Sequence, residues 1–262
     1  MVDFDLIGIM AKLSHHQQFF LEVEMWRVFS IVLFLAFTLG GCKPGIDEHL
    51  KNGTAKCEKG DHKGAIADFT LAIETDPQAD SAYLKRGKCK KHLKEFKEAL
   101  QDFGKAIELN PNSSDAYFNM AFCQAELKNL RAALENYNKS IGLDPKDIDA
   151  FYNRGIVKHD MGKYHDAIDD YTKAIALDPG YEDAYFNRGI SKFSLKDYAG
   201  ALADFNKTVE LNPKAADAWE RRGSCRRNLG DLTGACDDWA KAVELGDIAV
   251  QEKIEKYCLE GN

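Results

Sequence analysis

The sequence predicts an all-α fold made of stacked helical hairpins, and three recurrences support this prediction. Five of the six prolines, an alanine and a large aromatic residue each recur at intervals of 34 residues. Self-similarity with a period of about 20–50 residues is typical of arrays in which each repeat is one supersecondary unit. The prolines are Pro77, Pro111, Pro145, Pro179 and Pro213, and the aromatic residues are Phe69, Phe103, Tyr137, Tyr171, Phe205 and Trp239.

One repeat, residues 149–179, illustrates how each unit is expected to fold. Two runs of apolar residues at helical spacing are separated by a polar turn at Gly162. Gly155 and Ala167 are equidistant from this turn, so a hairpin brings these two small residues together and lets the helix backbones approach closely. Pro179 lacks an N–H group and therefore ends the second helix.

The repeated residues resemble the tetratricopeptide repeat over about residues 46–249, which gives six units. This resemblance implies a right-handed α-solenoid of six helical hairpins. It also implies a non-catalytic scaffold for protein–protein interaction, because such arrays present a long concave surface. The stretch from Ile248 to Leu259 is amphipathic, and we expect residues 248–262 to form a capping helix and the C-terminus. The first unit departs from the pattern at His49, where the other units have an aromatic residue.

Comparison of the units predicts an ion pair between the two helices of each hairpin. Unit three has Met120 and Asn136 where most units have arginine and aspartate, so both partners change together. Unit one keeps Asp68 but has Asn52 in place of the arginine, and Lys56 can substitute. We expect exposed pairs that contribute at most about 1 kcal/mol each. The remaining pairs are Arg86 with Asp102, Arg154 with Asp170, Arg188 with Asp204 and Arg222 with Asp238.

The N-terminal region is predicted to be an export signal. In residues 25–41, Arg27 precedes an apolar run that is too short to span a bilayer, which takes about 20 residues. The sequence Leu-Gly-Gly-Cys that ends at Cys42 resembles a bacterial lipobox, which implies lipidation of Cys42 and cleavage before it. An ordinary signal peptide, or a buried apolar segment with a chance cysteine, is the alternative.

Residues 1–24 do not fit this signal, because they place four acidic side chains ahead of the apolar run, where positive charge is favoured. We therefore predict that translation starts at Met25 and that residues 1–24 are a misassigned upstream extension. The mature chain is then expected to begin at Cys42, with residues 42–45 as a short tether.

The charge of the chain argues against one class of partner. The chain has a net charge of −7, which argues against electrostatic binding of nucleic acid by the chain as a whole. Basic residues are concentrated in unit two, between Lys85 and Lys97, and in unit six, between Arg221 and Arg227. Solvated helix faces are the favoured interpretation, and a patch for an acidic partner or for anionic headgroups is the alternative.

Five of the seven cysteines allow predictions about pairing. Cys89, Cys123 and Cys225 share one repeat position, and we expect them to be small buried residues. Cys236 and Cys258 lie at equal distances from the turn that precedes the capping segment, which predicts a disulfide between them. Cys225 and Cys236 flank the preceding turn in the same way and form a competing pair.

Signals of catalysis are absent from the sequence. It contains no glycine-rich phosphate loop, no Cys-x-x-Cys and no His-Glu-x-x-His pattern. We therefore expect no enzymatic activity, no metal, no cofactor and no small-molecule substrate.

The resemblance also predicts a binding groove, because the first helix of each unit lines the concave face in tetratricopeptide arrays. Mapped onto units three to five, the groove carries an apolar strip and a row of asparagines, whose amides both donate and accept hydrogen bonds. Asparagine at this position also serves helix packing, which is the alternative. The predicted groove residues are Phe118, Asn119, Phe122, Tyr152, Asn153, Ile156, Phe186, Asn187, Ile190 and Phe193.

These features together predict an adaptor that is lipid-anchored in a bacterial envelope and holds a peptide or protein segment in its groove. Two alternatives stay open. One is a pilotin-like assembly factor for an envelope machine, which binds through another face. The other is a cytoplasmic scaffold, if the N-terminal signal is spurious.

Overall fold

A computed structural model describes residues 45–259. The predictions for residues 1–24, for the signal at 25–41 and for lipidation of Cys42 lie outside the described residues.

Within residues 45–259 the chain forms twelve helices of 13 or 14 residues and no β-strand. None of these helices combines the length and the apolar character needed to cross a membrane. The helices are α1 (Ile46–Glu58), α2 (His62–Thr75), α3 (Asp80–His92), α4 (Phe96–Leu109), α5 (Ser114–Glu126), α6 (Leu130–Leu143), α7 (Ile148–Asp160), α8 (Tyr164–Leu177), α9 (Glu182–Ser194), α10 (Tyr198–Leu211), α11 (Ala216–Asn228) and α12 (Leu232–Glu244).

The helices pair into six hairpins, which are units one to six. Within a unit the first helix packs on the second, and each second helix also packs on the first helix of the next unit. From unit two onward, the first helices of consecutive units also touch one another. The predicted all-α solenoid of six helical hairpins is therefore confirmed.

The turn inside each hairpin has the same backbone geometry with different residues. Gly60, Gly162 and Gly230 adopt positive φ angles of 79°, 75° and 90° at this turn. Lysine occupies the same place in the other units, as at Lys94 and Lys196, with φ angles of 61° and 63°. The left-handed conformation is thus imposed by the hairpin, and glycine makes it less strained without being required.

Small residues allow the two helices of a unit to approach closely, as the sequence predicts. Ala167 is fully buried, and Tyr171 is 1% exposed. A Cβ atom added at Gly155 would lie 2.7 Å from Cε1 of Tyr171, so this aromatic ring fills the space that glycine leaves.

The predicted ion pairs form, but they are buried and not exposed. Arg154 donates to both carboxylate oxygens of Asp170, at 2.8 and 2.6 Å, and the third nitrogen of its guanidinium donates to Asn138 of the preceding unit at 2.7 Å. Lys158 adds a second cation, 2.8 Å from the same carboxylate, whose side chain is only 4% exposed. The expectation of exposed pairs is therefore wrong: the side chains of Asp102, Asp170, Asp204 and Asp238 are at most 4% exposed.

Unit one and unit three show how the pair is replaced. In unit one, Lys56 lies 2.8 Å from Asp68, as predicted. In unit three, the amide of Asn136 donates to Oε1 of Gln124 at 2.8 Å, so a neutral hydrogen bond takes the place of the charge cluster. Gln124 occupies the position that Lys158 has in unit four.

The segment after unit six is less regular than expected. The predicted capping helix forms over Ile248–Leu259, but its geometry changes along its length, from a 3₁₀ turn at Ile248–Val250 through one α-helical turn, α13, at Gln251–Ile254 to a π-helical turn at Glu255–Leu259. It does cover unit six, because Val250, Ile254 and Tyr257 pack on the cluster around the buried Trp239. Packing against this large ring decides the local geometry of a segment too short to hold a helix by itself.

Candidate interaction groove

The predicted apolar strip lies along the first helices α5, α7 and α9, and its side chains are half-buried. Phe118 packs edge-on against Tyr137, with ring centroids 5.7 Å apart, and Phe186 packs in the same way against Phe205 at 5.7 Å. One face of each ring is thereby fixed by the core. The parts of these rings that face solvent form an apolar surface that is already held in place before a ligand binds.

Tyr152 occupies the middle of the strip and joins two units. Its ring centroid lies 4.9 Å from that of Tyr181, and its hydroxyl accepts a hydrogen bond from Nδ2 of Asn187 at 2.9 Å. Burial raises the pKa of Tyr152 to about 12. The hydroxyl is therefore protonated at neutral pH and keeps its proton for donation to a ligand.

The three asparagines of the predicted row are not equivalent. Asn119 is 2% exposed, donates to Asp115 through Nδ2 and accepts from Nζ of Lys91 at 2.6 Å. Its amide is thus engaged within the protein, so the expected contact with a ligand is corrected to a packing role. Sequence reasoning missed this because the partner, Lys91, comes from the preceding unit.

Asn153 and Asn187 remain half-buried and are better placed for a ligand. Nδ2 of Asn153 donates to the carbonyl of Asp149 at 2.8 Å, and Nδ2 of Asn187 donates to the carbonyl of Asp183 at 3.0 Å. Among the described residues, neither side-chain oxygen has a hydrogen-bond donor. Both oxygens are therefore acceptors that an extended peptide backbone could satisfy.

The strip continues into a cavity that sequence reasoning did not find. The cavity has a volume of about 360 Å³ and begins at Phe186 and Ile190. It extends past unit five to Asp217 and Glu220 in unit six and to Lys253 in the capping segment. The far end of the groove therefore carries both signs of charge. No repeat pattern could reveal it, because the capping segment belongs to no repeat.

Several basic residues of units two and six are held in ion pairs or against an aromatic ring, so they are not the freely solvated side chains that the sequence analysis favoured. In unit two, Lys88 pairs with Asp115, and Lys90 lies 2.7 Å from Asp102. In unit six, the guanidinium of Arg227 lies 4.0 Å from the centroid of the Tyr257 ring. These three cations are therefore used in pairing and packing within the chain.

The cysteines pair only partly as expected. Cys236 and Cys258 form a disulfide, with Cα atoms 6.0 Å apart, and the competing partner Cys225 is buried with a free thiol. Cys89 is buried as expected, but its sulfur lies within bonding distance of Cys57, with Cα atoms 7.0 Å apart. The interpretation of Cys89 as an unpaired packing residue is therefore corrected. Cys57 lies outside the shared repeat position, so comparing units did not reveal it.

Comparison with known proteins agrees with the repeat architecture. Models of the tetratricopeptide repeat match residues 81–113, 103–135, 148–181 and 182–215, and a TPR repeat model matches residues 124–162. These matches together run without a gap from residue 81 to residue 215, just over half of the chain. No curated protein sequence matches the chain.

Several solved structures have the same fold. MamA is 28% identical with a TM-score of 0.59, covering 63% of this chain and 96% of that one. YrrB, described as a TPR protein with an unusual peptide-binding site, is 22% identical with a TM-score of 0.65, covering 72% of this chain and 97% of that one. PilF of Pseudomonas aeruginosa is 18% identical with a TM-score of 0.70, covering 80% of this chain and 97% of that one. The continuous match to the repeat models and the helical hairpins of the structure place the chain in the tetratricopeptide repeat family.

Proposed function

We propose that this protein is a non-catalytic adaptor, held at a bacterial membrane by a lipid on Cys42, that binds an extended peptide or protein segment in the groove formed by α5, α7 and α9. The fold supports the general part of this proposal, because tetratricopeptide arrays usually serve as protein-interaction scaffolds. The groove and the anchor are the specific parts, and each needs its own test.

One observation carries the groove proposal. The large side chains that fill the core, such as Phe205 and Tyr171, are at most 1% exposed. The aromatic side chains of the strip, such as Phe186, are only half-buried although they lie next to this core. A contiguous apolar surface on a soluble repeat array is typical of a binding site. The free acceptors on Asn153 and Asn187 beside it suit the N–H groups of an extended chain.

The groove is tested by photo-crosslinking in cells. A photoreactive phenylalanine analogue at Ile190, in the strip, should crosslink to a partner protein. The same analogue at Leu177, which is 41% exposed on the second helix of unit four, is the control and should not. Crosslinking from Leu177 without crosslinking from Ile190 would argue for the alternative in which an assembly factor binds through another face.

The anchor is tested by intact mass and membrane fractionation of the native protein beside a Cys42→Ala variant. The proposal expects a native chain that begins at Cys42, carries lipid and sediments with membranes, and a variant that does none of these. A native chain that is unprocessed and stays in the soluble fraction would contradict the anchor. It would favour the cytoplasmic scaffold and leave the groove proposal to its own test.

A further inference from the structure

Four side chains able to bind a transition metal gather where units one and two meet. Cys57 lies near the end of α1, His62 begins α2, and Cys89 and His92 lie in the last turn of α3. One ligand atom from each of Cys57, His62 and Cys89 falls within 4.8 Å of the other two. The ring of His92 stacks parallel on that of His62, with centroids 4.7 Å apart.

Burial of this cluster leaves one polar atom without a partner. Nδ1 of His62 is buried and makes no hydrogen bond. Cys89, beside it, is also buried, with 1% of its surface exposed. A buried polar atom without a partner destabilises the folded state, and such atoms are rare in folded proteins. A metal ion would satisfy this nitrogen, since imidazole nitrogen is a preferred ligand of zinc.

The spacing of the two cysteines suits two ligands of one ion. Their Cα atoms are 7.0 Å apart, just beyond the range of about 4.4–6.8 Å that is usual for disulfides. Cys236 and Cys258, at 6.0 Å, lie inside that range. A cavity of about 300 Å³ adjoins the cluster and is lined by all four side chains, so there is room for the sulfurs to separate around an ion.

The charges around the cluster also favour metal binding. Two thiolates neutralise a divalent cation, and neutral imidazoles complete the coordination without adding charge. Lys85 and Lys88 line the same cavity, where positive charge stabilises thiolate over thiol. Lys88 is partly neutralised by its pairing with Asp115, and Lys85 donates to Oγ1 of Thr54 at 3.2 Å.

We propose that the reduced protein binds one Zn²⁺ ion through the sulfurs of Cys57 and Cys89 and Nδ1 of His62. His92 supplies the fourth ligand after its exposed ring turns out of the parallel stack on His62. Two cysteines and two histidines are a common tetrahedral set for structural zinc. A disulfide between Cys57 and Cys89 excludes the metal, because zinc requires thiolates. The site lies outside the proposed groove strip and is independent of the adaptor function.

The ion would strengthen the terminal unit of the array. Unit one has Asn52 where four of the other five units have the paired arginine, and among the described residues its Asp68 pairs with one cation, Lys56. A zinc ion held by α1, α2 and α3 would link this terminal unit to unit two. Binding energy of a structural metal then adds directly to the stability of these helices.

The test uses the full-length chain without a histidine tag, fully reduced and freed of metal. After addition of Zn²⁺ and dialysis, elemental analysis should find one equivalent per chain. With Co²⁺ as the probe, a thiolate-to-cobalt charge-transfer band and the visible bands of tetrahedral cobalt should appear. Cys57→Ser and His62→Ala should each weaken binding at least about 100-fold, since even changes next to metal ligands cost about 10–100-fold.

The matched control is the double variant Cys236→Ser and Cys258→Ser, which removes the other sulfur pair and should leave one equivalent of zinc bound. Circular dichroism shows whether each variant keeps its helices. If a ligand variant unfolds, the cobalt spectrum of the wild-type chain still decides whether sulfur coordinates the ion. Absence of the charge-transfer band, or zinc binding that survives in a folded Cys57→Ser variant, would overturn the proposal.

Discussion

The buried aspartates are the residues on which the stability of each hairpin depends most clearly. Asp170 receives Arg154 and Lys158 within 3 Å, and its side chain is 4% exposed. We predict that Asp170→Ala lowers the free energy of unfolding by about 3 kcal/mol, because it leaves two cations partly buried without a counter-charge. Equilibrium urea denaturation of the variant beside the wild-type chain measures this loss.

Unit three provides the control for this prediction. The triple variant Arg154→Met, Asp170→Asn and Lys158→Gln copies the neutral set that unit three already contains. Replacing a whole buried ion cluster is often neutral, so we expect the triple variant to regain most of the lost stability. A triple variant less stable than Asp170→Ala would contradict this expectation. It would show that the attraction between the charges stabilises the hairpin, and that avoiding unpaired buried cations is not sufficient.

The two free buried cysteines should resist modification. Burial raises the pKa of Cys123 from 9.0 to about 11 and that of Cys225 to about 12. We predict that at pH 8 both thiols react with iodoacetamide at least about 100-fold more slowly in the folded chain than in urea, because the thiolate is the reactive form. Mass spectrometry of the labelled peptides measures both rates.

The raised pKa values of Cys123 and Cys225 also predict how the free energy of unfolding changes at high pH. The unfolded chain releases these thiol protons near pH 9, whereas the folded chain holds them to higher pH. The free energy of unfolding should therefore fall as pH rises from 9 toward 11. Rapid labelling of Cys123 at pH 8 in the folded chain would contradict both expectations.

The sequence predicts pairs within a unit better than clusters between units. The arginine–aspartate pair could be predicted because unit three changes Met120 and Asn136 together. Its burial could not be predicted by comparing single units, because the arginine also reaches into the preceding unit, where Arg154 donates to Asn138. The cluster around Cys57 and His62 was missed for the same physical reason: its ligands come from three helices and have no fixed spacing in sequence.

Among the helices, the predicted hairpins were confirmed, and the regular pattern stops at the capping segment. The 34-residue period predicted the place of each helix in the array, because every unit packs its first helix on its second helix and its second helix on the next unit. The segment after Gly246 belongs to no repeat, and the large ring of Trp239 decides its shape. Amphipathic spacing therefore predicted this helical segment but not the change of its geometry along the chain.

The disulfide of the capping segment should hold this segment on unit six. We predict that Cys258→Ser, compared with the wild-type chain in non-reducing buffer, accelerates hydrogen exchange in Ile248–Leu259 and around Trp239. The disulfide joins residues that are 22 positions apart, and removing a cross-link over a loop of this size lowers the free energy of unfolding by about 3 kcal/mol. This loss of stability should stay local, because each repeat contacts only its neighbours.

A matched control for the capping segment is Cys123→Ser, which changes a buried free thiol in unit three and should leave exchange in Ile248–Leu259 unaltered. Unchanged exchange in this segment after Cys258→Ser would mean that the apolar contacts of Val250 and Tyr257 hold it without the disulfide.

Across the whole molecule, stability should vary along the array, because such arrays behave as linear chains of coupled units. We predict that in the reduced, metal-free protein the amides of α1 and α2 exchange faster than those of α7 and α8. Unit one is terminal and has one cation on Asp68, whereas unit four has two on Asp170. Hydrogen exchange followed by mass spectrometry measures this difference, and equal protection in both units would contradict it.

The groove depends on the whole array, and the sequence predicted part of it. Half-buried Phe186 and Ile190 lie in the predicted strip, but the cavity beside them ends on Glu220 and Lys253, outside units three to five, where the groove was predicted. The helical repeat brings the residues of the strip onto neighbouring helices, because the first helices of consecutive units touch one another. The charged end depends on how the capping segment packs, which the repeat pattern does not specify.

Peptide affinity provides the decisive measurement for the adaptor. Peptides selected against the full-length chain should bind Phe186→Ala at least about tenfold more weakly, because about 1.4 kcal/mol of apolar contact is lost. They should bind Leu177→Ala with unchanged affinity, and circular dichroism should show both variants folded. Equal affinity for Phe186→Ala and the wild-type chain, with loss of binding in Leu177→Ala, would contradict the groove and place recognition on the second helices.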